Sequence, residues 1–252
     1  MNKLLIYDAD CPMCRVYTKG LVIAGALSAE QRSSSNALIN KEIVAKLDPV
    51  RSRHEIPLVD LDTGETHYGV DAVLTVLEGR WPRFSRFVRE MMLFELARRF
   101  YAFISYNRRI IVPAVAERQS ILDLAPDFNA GYRIVFLVLL YTALLVSHLA
   151  AVGHFDPLAM AMLAGQIGLT AAYIGRHSVD TRLANVLDYV GHLGMSILVG
   201  GVFKATGAAL DIPALLVLGN AVMIWQHVVR LRVMQLPDYL NVLFIGFVWV
   251  NG

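Results

Sequence analysis

"YDADCPMCR", residues 7 to 15, holds both cysteines of the chain, Cys11 and Cys14. The run before it, "KLLIY" (3–7), is apolar and ends abruptly in two aspartates, as a buried strand entering a loop does. Pro12 suits the first turn of a helix, where its missing N–H costs nothing. "CRVYTKGLVIAGAL" reads as that helix, with Val16, Leu21 and Ala24 on one side. Strand, loop, CxxC and helix therefore follow one another, which places the first sulfur among free backbone N–H groups and at the positive end of the helix dipole.

Three chemistries fit two cysteines at this spacing. In a redox pair, Cys11 is the attacking thiolate and Cys14, one turn further on, the resolving thiol. Arg15 favours the thiolate, while Asp8 and Asp10 oppose it. A zinc site needs two more ligands, and only His54 and His67 are at hand in this half of the chain. The third reading is a pair of inert core cysteines. Two cysteines without others argue against an extracellular domain stapled by disulfides.

Downstream, "SAEQRSSSNA" reads as a polar loop and "NKEIVAKL" as a second helix stopped by Asp48 and Pro49. In "IPLVDLDTGETHYGVDAVLTVL" (56–77), "PLVDL" is a strand, "DTGE" a turn, "THY" the returning strand and "GVDAVLTVL" a helix. Together these describe a small α/β domain over residues 1–79. In thioredoxin-like folds a proline just before a strand, often in cis, faces the CxxC, and Pro57 fits that slot.

"YDADCPMC" also resembles the D-x-x-C-x-x-C signature of the DCC family of predicted thiol–disulfide oxidoreductases, with Asp8, Cys11 and Cys14 at the matching positions. "HYGVDAVLTVL" is similar to that family's glycine-then-helix segment, and "YAFISYNRRI" to its tyrosine and Asn-Arg pattern, so the likeness covers residues 3 to 112. The family's usual "DGDC" is "DADC" here. The resemblance implies a thioredoxin-like fold and an oxidoreductase in which Cys11 and Cys14 carry the exchange. Pro57 would shape the substrate groove, and Asp8 would orient the loop or accept a proton. Dithiol exchange requires no cofactor; its partner is a protein or small-molecule thiol or disulfide, with no nucleic acid implied.

From Arg80 to Arg118 lie nine arginines and three glutamates. Arg83, Arg86 and Arg89 recur every third residue, and Phe84, Phe87, Met91 and Phe94 supply an apolar side. Residues 80–131 read as an amphipathic helical connector that either lies on anionic headgroups or packs, solvated, on the α/β domain.

Beyond it the composition changes. Residues 1–131 carry 17 of the 23 basic and 16 of the 21 acidic side chains, and the rest of the chain carries six and five. Residues 132–252 read as a transmembrane helical domain, with spans at 132–152, 157–174, 185–203 and 212–229 and a short apolar segment at 239–250. Arg176, Arg182, Arg230 and Arg232 fall on the same side as the Arg-rich segment, while the opposite loops lack Lys and Arg. "MNKLLIYDAD" is too short in apolar residues for a secretory leader. These features predict an integral protein of a bacterial inner membrane with its N-terminal domain in the cytoplasm.

The membrane half holds no cysteine, so no thiol relay crosses it. Its ionisable residues are the functional candidates. His192 and His227 lie toward the cytoplasmic ends of their helices and are read either as a haem or quinone site or as interhelical hydrogen-bonding residues. Asp188 and His192, spaced i and i+4, share a face and are placed to bond to each other. Lys204 is expected to snorkel to the surface. Met160, Met162 and Met195 are expected to pack.

Overall fold

The computed structural model describes residues 2–37, 41–90, 93–114, 122–178 and 180–251. The chain forms two compact units, Met1–Asn129 and Ala130–Gly252.

The first unit is built on a four-stranded sheet in the order β2-β1-β3-β4. β1 (Lys3–Tyr7) pairs in parallel with β2 (Arg32–Ser34) and antiparallel with β3 (Pro57–Asp60), which pairs antiparallel with β4 (Thr66–Tyr68). Leu5 lies opposite Leu58, and both face a core with Leu27, Ile56, Ala72 and Val76. Ile6 and Val59 point the other way, onto Leu47, Leu122 and Leu124. Both faces are covered, which is why "LLIY" (4–7) is continuously apolar instead of alternating. Each of these fully buried leucines and isoleucines contributes about 1.5–3 kcal/mol. The turn between β3 and β4 is held by Asp60, whose carboxylate accepts from the N–H groups of Asp62 and Thr63. Gly64 follows with φ +79, a conformation that costs glycine nothing.

Helices complete the unit: α1 (Pro12–Ile23), α2 (Lys41–Ala45), α3 (Pro49–His54), α4 (Gly69–Glu78), α5 (Pro82–Glu90) and α6 (Leu93–Ile111). Three local expectations are corrected. "RSS" in the supposed loop is the edge strand β2, too short and too polar to show a strand pattern. Asp48 does not simply end a helix; its side chain accepts from Val50 and Arg51 and opens α3. Val16 is exposed on α1, whose inner side is Cys14 and Thr18, with Tyr17, Leu21 and Val22 against the core.

The described part of the Arg-rich segment belongs to this unit. Ser85 of α5 donates to the Leu74 carbonyl of α4 at 3.1 Å, and Arg89 pairs with Asp71 at 2.8 Å. Met91 and Arg118 lie outside the described residues. Leu122 and Leu124 enter the core, and Arg53 pairs with both Asp123 and Asp127.

The second unit has four helices long and apolar enough to cross a membrane: α7 (Ala130–Val152), α8 (Pro157–His177), α9 (Arg182–Ala209) and α10 (Pro213–Val233). A 3-10 turn (Asp238–Asn241) leads into α11 (Val242–Val250). At about 1.5 Å per residue α11 is about half the thickness of a bilayer core. It packs on α8 instead, Leu243 against Gly165 and Met162 against Gly246, with Phe244 and Val248 buried. α9 and α10 approach closely at Gly200 and Gly219: a Cβ on Gly219 would stand 2.7 Å from the Gly200 carbonyl oxygen. Met195 is buried, in keeping with a packing role.

Candidate functional site

β1 ends at Tyr7, and the chain turns so that the Cys11 N–H bonds the Asp8 carbonyl at 3.2 Å. Cys11 is the N-cap of α1, with extended φ −92 and ψ 108, and Pro12 is its first residue. In that position a side chain accepts from the first turn, and the Cys11 sulfur accepts from the Cys14 N–H at 3.3 Å. Both thiols are free, and they are 2% and 8% exposed.

Beneath them lies a buried polar cluster supplied by α6. One amino group (Nη2) of the Arg108 guanidinium donates to Asp8 Oδ2 at 3.0 Å and to the Leu124 carbonyl, and the other (Nη1) to Ser105 Oγ at 3.1 Å. Arg109 approaches the same Asp8 oxygen at 3.9 Å. The second Asp8 oxygen accepts from the Asp10 N–H at 3.0 Å, which shapes the loop ahead of the cysteines. Ser105 donates to the His54 carbonyl, and the Tyr101 hydroxyl accepts from the Ile56 N–H at 3.0 Å, next to Pro57.

These contacts separate the two thiols. The Cys14 thiol donates to the Cys11 sulfur, the largest of the effects that bring Cys11 down from 9.0 to about 7. Burial opposes that shift, the Arg108 charge and the Cys14 N–H add to it, and Asp8 works against it. Cys14 is pushed far above an ordinary thiol by that same donation and by burial. Burial also pushes the Tyr101 hydroxyl up to about 12. Burial opposes the charge on Arg108, but Cys14, Cys11 and Asp8 outweigh it. The arrangement holds one thiolate near neutral pH beside a protonated partner thiol.

Cys11, Cys14 and Asp8 thus come together in one site. Pro57 is buried at the start of β3, one residue from the Tyr101 contact, and its peptide bond is trans. Arg15 gives its carbonyl to Arg32, and the cation beside the sulfurs is Arg108. Sequence reasoning assigned no role to Arg108, Ser105 or Tyr101. Their signal was a polar stripe, i, i+4 and i+7 on one face of a helix. His54 bonds Asp127 at 3.1 Å and stacks on Tyr106. Among the described residues no group of three or more His, Cys, Asp and Glu is placed to hold a metal ion.

The membrane histidines have other partners. His227 is bonded through both ring nitrogens, to the Tyr189 hydroxyl at 3.2 Å and the Asn241 side-chain oxygen at 2.7 Å. The Gln166 side chain donates to Tyr189 at 2.7 Å and accepts from the Phe244 N–H at 3.1 Å, so four helical segments join in one buried network. His192 meets Arg230 at 3.1 Å. Asp188, about one-third exposed, pairs with Arg133 of α7 at 3.1 Å, while His192 is engaged by Arg230 of α10. Lys204 donates to the Asn251 carbonyl at 2.7 Å.

Comparison with protein-family models, with curated proteins and with solved structures finds no match for this chain.

Proposed function

We propose that the chain is a membrane-anchored thiol–disulfide oxidoreductase, with Cys11 as attacking thiolate and Cys14 as resolving thiol. The observation that carries this reading is the pairing of a lowered Cys11 with a raised Cys14 at the start of α1, above the Arg108–Asp8 pair. The Cys11 sulfur attacks a disulfide, forms a mixed disulfide and releases one thiolate of the substrate. Cys14 then loses its proton and attacks the Cys11 sulfur, which closes the Cys11–Cys14 disulfide and releases the second thiolate. Two electrons pass from the dithiol to the substrate disulfide; the oxidising direction runs the same steps in reverse.

The sheet order β2-β1-β3-β4, with β3 antiparallel to the other strands, supports a thioredoxin-like reading of the first unit and the likeness to the DCC family. Pro57 then borders the substrate groove. We read the membrane as a bacterial inner membrane, and the arginines at the ends of α8 and α10 support a first unit on its cytoplasmic side. The test is capture of a mixed disulfide. A Cys14→Ser chain should accumulate an adduct with a small disulfide on Cys11, and a Cys11 no more reactive than an ordinary thiol would end the proposal.

A second reading rests on the ionisable residues within the spans: the membrane unit is a transporter or a small-molecule-binding bundle, with haem or quinone at His192 and His227, and the cysteines of the appended unit sense redox state. Haem ligation by His227 would require it to release Tyr189 or Asn241. On this reading Cys11→Ala leaves the membrane activity intact.

A further inference from the structure

We propose that the face formed by α5 and the first half of α6 is a docking surface for anionic lipid headgroups. Phe84 and Phe87 of α5 and Leu96 and Phe100 of α6 are each more than half exposed, and Trp81 stands exposed just before α5. α5 is fixed from its other side, since Ser85 is buried against Leu74 and Arg89 is held by Asp71, so Phe84 and Phe87 face outward by construction. None of these five side chains takes part in the core around Leu5 and Leu58.

Charge selects the occupant. Residues 80–100 contain six arginines, at 80, 83, 86, 89, 98 and 99, and two glutamates, at 90 and 95. Asp71 engages Arg89, and Glu95 engages Arg98 and Arg99. Arg80, Arg83 and Arg86 form no ion pair among the described residues; Arg80 lies over the Trp81 ring at 5.9 Å. Large apolar side chains interleaved with unpaired arginines, and a tryptophan at the margin, match the headgroup and upper acyl region of an anionic bilayer. The same chain carries four helices able to cross a bilayer, so a lipid surface is at hand. This inference does not depend on the redox reading.

The chain has three tryptophans, and Trp225 and Trp249 are both exposed on the membrane unit. The full chain carrying Trp225→Phe and Trp249→Phe, reconstituted in vesicles, therefore reports from Trp81 alone. In vesicles of phosphatidylglycerol and phosphatidylcholine that include lipid brominated high on the acyl chain, Trp81 emission is expected to be blue-shifted and quenched. Pure phosphatidylcholine should weaken that quenching. So should Arg83→Gln with Arg86→Gln, which leaves Ser85 and Arg89 in place, by about fivefold in surface partitioning per arginine. Water-like, unquenched emission in the anionic vesicles would overturn the proposal. Quenching of equal strength in pure phosphatidylcholine would do the same, as would shielding from aqueous quencher without quenching by bromine, which means a protein cover such as a second copy.

Discussion

Arg108 and Asp8 are a hundred residues apart in the chain, yet the guanidinium donates to the carboxylate at 3.0 Å with both side chains buried. This pair joins α6 to the loop that carries the cysteines. Asp8 is the start of the motif, and Arg108 is the cation that the motif itself does not contain.

Removing the cation should raise Cys11. In Arg108→Gln the sulfur loses an attractive charge while the repulsion of Asp8 remains, so its titration midpoint should move up from about 7 by about one pH unit. The pH profile of Cys11 alkylation, read by mass spectrometry, measures it. The side with the lower thiolate fraction is the acidic side, so the variant should be slowest relative to the parent below pH 7.

Asp8→Asn should do the opposite to the thiol and harm the fold. The Asp8 charge raises Cys11, so its removal should carry the midpoint below about 7. It also leaves the buried Arg108 without its carboxylate, at a cost of about 3 kcal/mol. A lower midpoint together with a lower thermal transition is the expected signature.

Tyr101→Phe removes the acceptor of the Ile56 N–H beside Pro57. A buried N–H without a partner costs about 1–3 kcal/mol. Faster amide exchange at Ile56, with the Cys11 midpoint almost unmoved, would locate the effect at the edge of β3.

In the membrane unit Gly200→Leu should drive α9 and α10 apart, because the added atoms meet Met223 and the Gly219 backbone. A loss of about 1–3 kcal/mol is expected, seen as a lower thermal transition in detergent with Cys11 chemistry unchanged.

His227→Phe should cost stability of similar size, since Tyr189 and Asn241 lose their shared partner. The absorption spectrum of the purified chain separates this from the second reading: a Soret band that vanishes in His227→Phe would establish a haem ligand.

Elements fixed by neighbouring residues were legible in the sequence. Pro12 one residue after Cys11 announces the start of α1, "DTGE" announces the β3–β4 turn, and each long helix of the second unit carries its own hydropathy. Features that depend on distant contacts were not. β2 has no apolar residue and is a strand only because Leu5, Ile6 and Tyr7 offer it a free edge. Arg108 falls in the Asn-Arg stretch of the family likeness, but its place beside the sulfurs shows only when α6 meets the Asp8 loop. Asp188 and His192 share a helix face, yet each is claimed by a different helix, through Arg133 and Arg230. Spacing along one helix shows what can meet, and packing decides what does.

The central claim is a single thiolate at Cys11, protected from competition by Cys14. The most direct measurement is the pH titration of ultraviolet thiolate absorbance in the reduced full chain, with Cys11→Ala as reference. One thiolate should appear with a midpoint of about 7 and be absent from the Cys11→Ala chain. A first thiolate that appears only near the ordinary thiol value of 9.0, or one that survives Cys11→Ala, would contradict the account.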